Sequence, residues 1–370
     1  IMERTYLYFF PKHRNKNYTG YSSSIYLGCF RTSVLREIRF SEKKDLISED
    51  SLIINNFLEN GFKAYISSKI KLICSVSTGE DHIDKSILSR QNIPLKFSTG
   101  ANAKAVQEYT ISCLALLLKL NLFQREIDKI LVIGVGKIGS MVIDILKEYN
   151  FSYDSYDPYK ESSLKKLDNL SDYKLITFHV PYTKEGKNKT KYYLDAKFLS
   201  KVNSDAVIIN TSRGGIVDEN HFHQQDKCKL ISDVFIDEPN ISAKFCKKTF
   251  LATPHIAGHT QSSRFEMTKM AYEHVIEFLG IQNNITALPK IYKLEVDETL
   301  VEAEINKYGL PVTLILNTYN PKEDSFSPVR FKQVRDDYNK RIGFDQIQIN
   351  NLSDDVLVRK ITKLGFNYPL

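Results

Sequence analysis

In the middle of the chain, short runs of β-branched and aliphatic residues alternate with polar and amphipathic segments. Strands are predicted for six runs between positions 129 and 255: KILVIG, SYDSYD, KLITFHV, AVIINTS, KLISDVF and FLATPH. Segments of helical or polar character separate these runs. Strands and helices that alternate in this way predict an α/β fold with a doubly wound parallel sheet.

Two long helices and two less regular regions flank this pattern. Residues 103–120 are apolar on nearly all sides, as expected of a buried helix, and another helix is predicted over 262–279. The first 60 residues predict strands only weakly, at YLYFF and SLIINNF. From 281 the pattern becomes that of a small α+β unit, which includes a basic helical run at 329–341.

Length and charge narrow the class of protein. A chain of 370 residues predicts two or three domains rather than one core. The net charge of +7 is spread along the chain with no basic run interleaved with aromatic residues, so nucleic acid is not an expected partner. Such a surface can instead attract an anionic substrate. No stretch reaches the ~20 apolar residues of a membrane helix. Without a secretory leader, the expected location is the cytoplasm.

The cysteine and histidine usage predicts no metal site. The five cysteines are well separated and form no CxxC pair, which indicates a reducing compartment. No set of His, Cys and carboxylate residues has metal-ligand spacing. Among the scattered histidines, His179 is expected to pack near a cofactor and His82 to anchor a loop. His221 and His223 are expected on a surface helix.

A glycine-rich turn follows the strand KILVI and opens the helix SMVIDILKEY. Its sequence is Gly134-Val-Gly136-Lys137-Ile138-Gly139. Glycines allow a tight turn and close approach of the backbone to a pyrophosphate, and the helix N-terminus adds free N–H groups and partial positive charge. In this strand–turn–helix context the motif predicts a dinucleotide site.

Asp157 ends the next predicted strand, 18 residues after the last glycine of the turn. A carboxylate at this place can accept hydrogen bonds from both ribose hydroxyls and repels a 2′-phosphate, which favours NAD over NADP. In the alternative interpretation, Asp157 only caps a turn before Pro158.

Three chemically distinct side chains follow successive strands. Arg213 lies in NTSRGG, Glu238 in DVFIDEP and His255 in TPHIAGH. An imidazole can serve as a general base, and a carboxylate on its far nitrogen fixes the tautomer. An arginine can bind a substrate carboxylate through a bidentate pair of hydrogen bonds. Each residue alone has an ordinary structural explanation, but together at the ends of parallel strands they predict an oxidoreductase for a hydroxy acid.

The order and spacing of these motifs resemble the D-2-hydroxyacid dehydrogenase family over about residues 70–280. The resemblance implies two Rossmann-like doubly wound domains: a substrate-binding domain at 1–100, completed by 258–280, and an NAD-binding domain at 101–257. It also implies the catalytic residues Arg213, Glu238 and His255. Besides the glycine turn and Asp157, it implies cofactor contacts at Val180, Thr211, Ser212, Arg213, Asp233 and Gly258.

The tail, from FKQVRDDYNKR to ITKLGFN, resembles the extra C-terminal α+β dimerisation domain of one branch of that family. This resemblance implies a homodimer formed through 281–370. It also implies oxidation of 4-phospho-D-erythronate to 2-oxo-3-hydroxy-4-phosphobutanoate in pyridoxal 5′-phosphate biosynthesis. The expected substrate is thus a small phosphorylated 2-hydroxy acid.

Departures from the family pattern lie on the substrate side. Asn55 and Asn56 stand where the branch has an Arg-Ser pair, Ser77 replaces a substrate-binding Thr, and His259 replaces a Tyr. We expect Asn56, Ser77 and His259 to be the substrate contacts. Two alternatives remain open at this point: a dehydrogenase for another D-2-hydroxy acid, and a non-catalytic NAD-sensing protein on the same fold.

Overall fold

The structure is a computed structural model that describes residues 72–79, 83, 85–90, 92–224, 226–280 and 289–369. The runs YLYFF and SLIINNF, with Asn55, Asn56 and His82, lie outside these residues. Internal contacts divide the chain into two compact units: Ile1–Asn102 with Arg264–Leu288, and Ala103–Ser263 with Pro289–Leu370. The domain boundaries inferred from the sequence stay predictions.

The described part of the first unit contains a small parallel sheet. Strand β1 (Ile73–Ser75) pairs with β2 (Leu95–Phe97), and helix α1 (Lys85–Arg90) lies between them in the chain. The side chains of Cys74, Val76 and Ala271 form a hydrophobic cluster in this unit. Ala271 belongs to a long helix that runs from Gln261 to Leu279, close to the predicted 262–279.

The second unit contains the predicted doubly wound sheet, with all neighbouring strands parallel. Its strands are β3 (Ile130–Ile133), β4 (Tyr153–Tyr156), β5 (Leu175–Phe178), β6 (Val207–Asn210), β7 (Lys229–Ser232) and β8 (Leu251–Ala252). They lie in the order β4-β3-β5-β6-β7-β8. Every residue of β3, β5 and β6 is buried. This explains why their sequences are mostly apolar, because helices cover both faces of such a sheet.

Two helices next to the sheet form much of the core. The buried helix predicted at 103–120 is confirmed as α2 (Ala103–Lys119), and it packs against α3 (Lys137–Glu148). Fifteen of its side chains are buried, which its nearly uniform apolar sequence had indicated. The later helices of this part of the chain are α4 (Ala196–Lys201), α5 (Glu219–Phe222), α6 (Ala243–Lys248) and α7 (Gln261–Leu279).

The C-terminal residues 289–369 form an α+β arrangement within the second unit. Strands β9 (Tyr292–Leu294) and β10 (Ile347–Ile349) form a parallel pair. The helices are α8 (Glu298–Tyr308), α9 (Val312–Thr318), α10 (Phe331–Asp336) and α11 (Asp355–Leu364). Helix α9 packs on α2 and α11 packs on α3, so the C-terminal side chains share the hydrophobic core of the sheet. No helix among the described residues is long and apolar enough to cross a membrane.

The basic helix predicted at 329–341 is only partly correct. A 3₁₀ turn at Pro328–Arg330 leads into α10, which ends at Asp336. Beyond it, Tyr338 and Arg341 are buried, and the Tyr338 hydroxyl donates to Asp324 at 2.5 Å. These tertiary contacts hold the segment in a non-helical path, which the local propensity of the run does not reveal.

Candidate active site

The three glycines of the turn between β3 and α3 have different surroundings. Gly134 has a φ of 92°, and a Cβ there would overlap the carbonyl oxygen of His179. A Cβ at Gly139 would overlap the carbonyl oxygen of Gly134, so this glycine lets the helix approach the turn. At Gly136 a Cβ would meet no atom within 4 Å. The turn is therefore closely packed at Gly134 and Gly139 and open at Gly136. The open side fits a pyrophosphate bound against the first turn of α3, where Lys137 and Ile138 lie.

Asp157 joins the end of β4 to this turn. Its Oδ2 accepts the backbone N–H of Val135 at 2.8 Å, and its Oδ1 accepts that of Tyr159 at 2.9 Å. The carboxylate therefore does cap the turn after β4, as in the simpler interpretation. It also lies beside the glycine turn, and each oxygen has a second lone pair with which to accept a ribose hydroxyl.

The ends of β5 and β6 are tied together by Ser212. Its hydroxyl donates to the carbonyl of Phe178 at 2.8 Å and accepts the N–H of Val180 at 3.1 Å. Beside it, the hydroxyl of Thr211 is buried and has no hydrogen-bond partner among the described residues. A buried hydroxyl that follows β6 and has no partner there fits a polar group of a bound dinucleotide.

The ring of His179 is buried, and its expected place near a cofactor stays a prediction. Burial lowers its pKa to about 3, so the ring is neutral at ordinary pH. Its Nε2 lies 3.0 Å from the hydroxyl of Thr177. A neutral, buried imidazole of this kind is a packed side chain rather than one that exchanges protons, and it is the backbone carbonyl of His179 that lies against Gly134.

Arg213 follows β6, where the side chain of Asn210 fixes the backbone. The Asn210 amide donates to the carbonyl of Arg213 at 3.0 Å and accepts the N–H of Ser212 at 3.0 Å. The half-buried Arg213 donates from Nη1 to the carbonyl of Ser212 at 2.8 Å. A Cβ at Gly214 would overlap the backbone of Phe235, so the Arg213 turn packs directly against the segment that follows β7.

That segment carries Glu238, which contacts His255. The two carboxylate oxygens of Glu238 have different partners: Oε1 accepts the N–H of Phe235 at 2.8 Å, and Oε2 lies 2.6 Å from Nδ1 of His255. The Glu238 side chain is 20% exposed and that of His255 is 30% exposed. The pair is thus partly shielded, and the second ring nitrogen of His255 is the one left for a substrate.

The charges around Glu238 favour its ionised form. Burial by itself would raise the pKa of Glu238, but the His255 ring and the Arg335 guanidinium hold that pKa below its ordinary value. An ionised carboxylate on Nδ1 keeps the proton on that nitrogen, so Nε2 carries the lone pair of the neutral ring. This arrangement can accept a proton from a hydroxyl and stabilise the imidazolium that results.

Asp233, at the end of β7, holds the turn that carries His255. It accepts the hydroxyl of Thr253 at 2.7 Å and the backbone N–H groups of Ile256 and Ala257, each at 2.8 Å. Burial raises the pKa of Asp233 to about 6, against the opposing effect of His255. Thr253 in turn accepts from the hydroxyl of Tyr109 on α2, 2.7 Å away.

The remaining predicted residues lie at the ends of other segments. Gly258 accepts the hydroxyl of Ser263 at 2.8 Å, and the N–H of His259 donates to Ile256 at 2.8 Å, so both follow the His255 turn. In the first unit, the Ser77 hydroxyl donates to the carbonyl of Gly79 at 2.9 Å. Asn56 lies outside the described residues. Among the residues that the structure does describe, no cluster of His, Cys and carboxylates could hold a metal ion.

Sequence patterns missed two groups that support this site. Glu219 on α5 is buried, and its Oε1 accepts the N–H of Ile236 at 2.7 Å, next to the bond that Phe235 makes with Glu238. Arg341, from the C-terminal segment, donates to the carbonyl of Ala257 at 2.7 Å. The acidic end of NTSRGGIVDE was a usable signal for Glu219, whereas nothing local distinguishes Arg341 within a basic run.

A comparison with known proteins identifies the general class to which this protein belongs. Residues 118–257 match the family model of the D-isomer-specific 2-hydroxyacid dehydrogenase NAD-binding domain. A formate dehydrogenase from Staphylococcus aureus, solved with NAD, is 21% identical, with a TM-score of 0.50 over 60% of this chain and 77% of its own. A 3-phosphoglycerate dehydrogenase from Entamoeba histolytica, solved with NAD⁺, is 23% identical, with a TM-score of 0.50 over 58% and 73%. At these identities the two structures establish the Rossmann-like fold alone.

Relatives of known function narrow this class. An erythronate-4-phosphate dehydrogenase from Bacteroides thetaiotaomicron is 30% identical over 317 residues, 80% of this chain and 87% of the relative. One from Coxiella burnetii is 27% identical over 353 residues, 92% of this chain and 95% of the relative. The family match and the fold are those of an NAD-dependent 2-hydroxyacid dehydrogenase. Within that class, the chain belongs to the erythronate-4-phosphate dehydrogenase family.

Proposed function

We propose that this chain oxidises 4-phospho-D-erythronate to 2-oxo-3-hydroxy-4-phosphobutanoate with NAD, in pyridoxal 5′-phosphate biosynthesis. The observation that carries the proposal is the 2.6 Å contact between Glu238 and His255, in a segment packed against the Arg213 turn. The names of the relatives supply the substrate.

The three strand-end residues have distinct roles in this reaction. His255 takes the proton of the C2 hydroxyl on Nε2, because Nδ1 is bound to Glu238. Glu238 fixes the ring and stabilises the imidazolium. Arg213 binds the substrate carboxylate and polarises the oxygen on C2. A bound NAD would supply the acceptor for the hydride that leaves C2.

The residues around the glycine turn would hold the cofactor. The open side of Gly136 and the N-terminus of α3, with Lys137 and Ile138, would receive the pyrophosphate. Asp157 would bind the ribose hydroxyls, and the orphaned hydroxyl of Thr211 would find a partner. The remaining cofactor contacts in this proposal are Val180, Ser212, Asp233 and Gly258.

The contacts to the rest of the substrate stay predictions. His259 replaces an aromatic side chain of the branch and, when protonated, can add positive charge for a phosphate. Ser77 retains a hydroxyl in place of a threonine. The same prediction for Asn56 concerns a residue outside the described ranges.

The proposal includes a domain organisation and an assembly. Residues 1–100 with 258–280 form the substrate-binding domain, 101–257 bind NAD, and 281–370 form a homodimer in the cytoplasm. The compact unit that joins the N-terminal part to Arg264–Leu288 supports the first of these assignments. Native mass spectrometry of the purified protein would report the dimer mass and any retained NAD(H) together.

The test is oxidation of 4-phospho-D-erythronate by the purified protein with NAD. A 2-oxo acid is added to reoxidise any NADH that stays bound, and the phosphorylated product is measured by mass spectrometry. We expect product that depends on substrate and on His255. No product in either the presence or the absence of the 2-oxo acid would overturn the proposal.

A substrate panel separates this proposal from the two alternatives. Faster turnover of a non-phosphorylated D-2-hydroxy acid would assign another substrate, an alternative motivated by Asn55 and Asn56, which lie outside the described residues. An NAD-sensing protein would keep its biological role in a His255→Ala variant. If the variant loses that role completely, the result supports the proposed enzymatic function.

A further inference from the structure

A buried arginine of the C-terminal segment contacts the catalytic turn. Arg341 is 3% exposed, and its Nη1 donates to the carbonyl of Ala257 at 2.7 Å, with a longer contact of 3.4 Å to that of Ile256. Its Nη2 donates to the carbonyl of Ala105 on α2 at 2.7 Å. One guanidinium therefore connects the first turn of α2 to the two residues that follow His255.

The same two residues are held from their other side. The N–H groups of Ile256 and Ala257 both donate to the carboxylate of Asp233, while their carbonyls face Arg341. The Asp233 carboxylate thus binds the N–H groups of this short turn, and the Arg341 guanidinium binds its carbonyl groups. His255 itself has a φ of 57°, in the left-handed region that a non-glycine residue occupies only when its surroundings impose it.

We propose that Arg341 is a positioning residue for His255: by holding the carbonyl side of the turn, it places the imidazole against Glu238 and the substrate. This proposal rests on the function proposed above. It makes the C-terminal segment part of the catalytic scaffold, separately from any part it has in assembly.

Stability alone does not explain an arginine here. Burying a guanidinium is costly, and an apolar side chain of similar volume often gives equal or greater stability. The compensation is also incomplete: the nearest carboxylate, Glu108, is 3.9 Å away, and burial raises its pKa to about 7. The Nε of Arg341 is buried with no hydrogen-bond partner within the described ranges. What the guanidinium does provide is two directional bonds to backbone carbonyls.

Neighbouring aromatic rings keep the guanidinium in its orientation. Its central carbon lies 4.1 Å from the ring centroid of Tyr319 and 5.8 Å from that of Tyr109. Tyr109 also donates to Thr253, which binds Asp233, so both sides of the turn are supported from α2 and its neighbours. A lysine would keep the charge but lose the planar pair of donors.

The test compares Arg341→Gln and Arg341→Lys with Arg359→Gln. Arg359 is a matched control because it also joins the C-terminal segment to a helix beside the sheet, through an ion pair with Glu148 of α3 at 2.7 Å. Its side chain is exposed and does not contact the turn that follows His255. We expect the Arg341 variants to lose roughly 10²-fold in kcat, with KM and the Kd for NADH little changed. The solvent isotope effect on kcat should rise, because a displaced His255 slows proton transfer. Arg359→Gln should keep wild-type values.

A double-mutant cycle distinguishes positioning from general damage. In a His255→Ala background, Arg341→Gln should add little further loss, because its effect operates through the imidazole. Losses that multiply, or an Arg341→Gln variant whose kcat matches that of the control, would overturn the proposal. Should the Gln variant fail to fold, Arg341→Lys is put through the same cycle.

A spectroscopic readout keeps this proposal separate from the proposed function. The proton between Nδ1 of His255 and Glu238 gives a downfield NMR resonance in a short, charge-assisted bond. We expect that resonance to shift or disappear in Arg341→Gln and to persist in Arg359→Gln, whether or not the protein oxidises 4-phospho-D-erythronate. An unchanged resonance in Arg341→Gln would contradict the positioning role. If the resonance changes but the protein does not oxidise 4-phospho-D-erythronate, the result contradicts only the proposed substrate.

Discussion

Glu238 binds His255 through one carboxylate oxygen, at 2.6 Å, and its own backbone segment through the other, at the N–H of Phe235. The carboxylate is thereby fixed before it orients the imidazole. Its position follows from strand order, because β7 and β8 are adjacent and parallel and the loops after them meet at one edge of the sheet.

Replacing this carboxylate with an amide tests its role in the reaction. Glu238→Gln keeps the volume and can still accept from Phe235 through its oxygen. Its NH₂ group then faces Nδ1 of His255, where it favours the opposite tautomer and cannot stabilise an imidazolium. We expect kcat to fall by roughly 10²–10⁴-fold, the range of a lost acid–base contribution. Steady-state kinetics measure the fall, and NADH titration should show unchanged cofactor affinity. A kcat within a few-fold of wild type would rule out the assigned role.

Gly136 and Gly139 should respond differently to the same added methyl group. At Gly136 a Cβ meets nothing within 4 Å, so Gly136→Ala should fold normally but raise the Kd for NADH at least about tenfold, since the methyl group occupies the space of the pyrophosphate. At Gly139 a Cβ overlaps the carbonyl of Gly134, so Gly139→Ala should lose about 1–3 kcal/mol of stability through overpacking.

Thermal unfolding and NADH titration of both variants separate these effects. Each glycine variant serves as the control for the other, because the substitution is the same and the positions are three residues apart. Equal loss of stability at both positions would show that Gly136 is packed rather than open.

Asp157 should determine the preference for NAD over NADP. Asp157→Asn removes the charge that repels a 2′-phosphate while keeping one acceptor oxygen for the neighbouring N–H groups. We expect the ratio of kcat/KM for NADP to that for NAD to rise about tenfold, which corresponds to ~1.4 kcal/mol. Asp154→Asn is the matched control three residues earlier, within β4, since Asp154 pairs with Lys129 at 2.7 Å. An unchanged ratio in Asp157→Asn would leave Asp157 with its turn-capping role only.

The parallel sheet and the buried helix were predictable because their signals are local. Most strands of the sheet are short runs of aliphatic and β-branched residues, and α2 is apolar on nearly all sides. The strand-end positions of Arg213, Glu238 and His255 followed from the same pattern, since parallel strands bring their carboxyl ends together.

The contribution of the C-terminal segment to the site was not predictable in this way. Residues 329–341 have helical propensity, but the chain leaves α10 after Asp336 so that Tyr338 and Arg341 become buried. Arg341 then reaches residues more than eighty positions earlier in the chain. Contacts over such a separation depend on the assembled core and have no local periodicity.

Glu219 connects the stability of the site to pH. Its buried carboxyl accepts the N–H of Ile236, and burial together with the nearby Asp237 and Glu238 raises its pKa to about 7 from an ordinary 4.5. Because the folded-state pKa is the higher one, the favourable contribution of the protonated form is complete below pH 4.5. That contribution is lost as the pH rises through about 7.

Glu219→Gln should therefore remove a pH dependence of folding. The amide stays neutral and can still accept from Ile236, so the variant should gain stability relative to wild type between pH 5 and pH 8, by roughly 3 kcal/mol at most. Denaturant unfolding at several pH values measures the difference. Glu126→Gln, at a side chain that is 78% exposed, is the control and should follow the wild-type curve. Parallel curves for Glu219→Gln and wild type would show that the Glu219 carboxyl ionises equally well in the folded and unfolded chain.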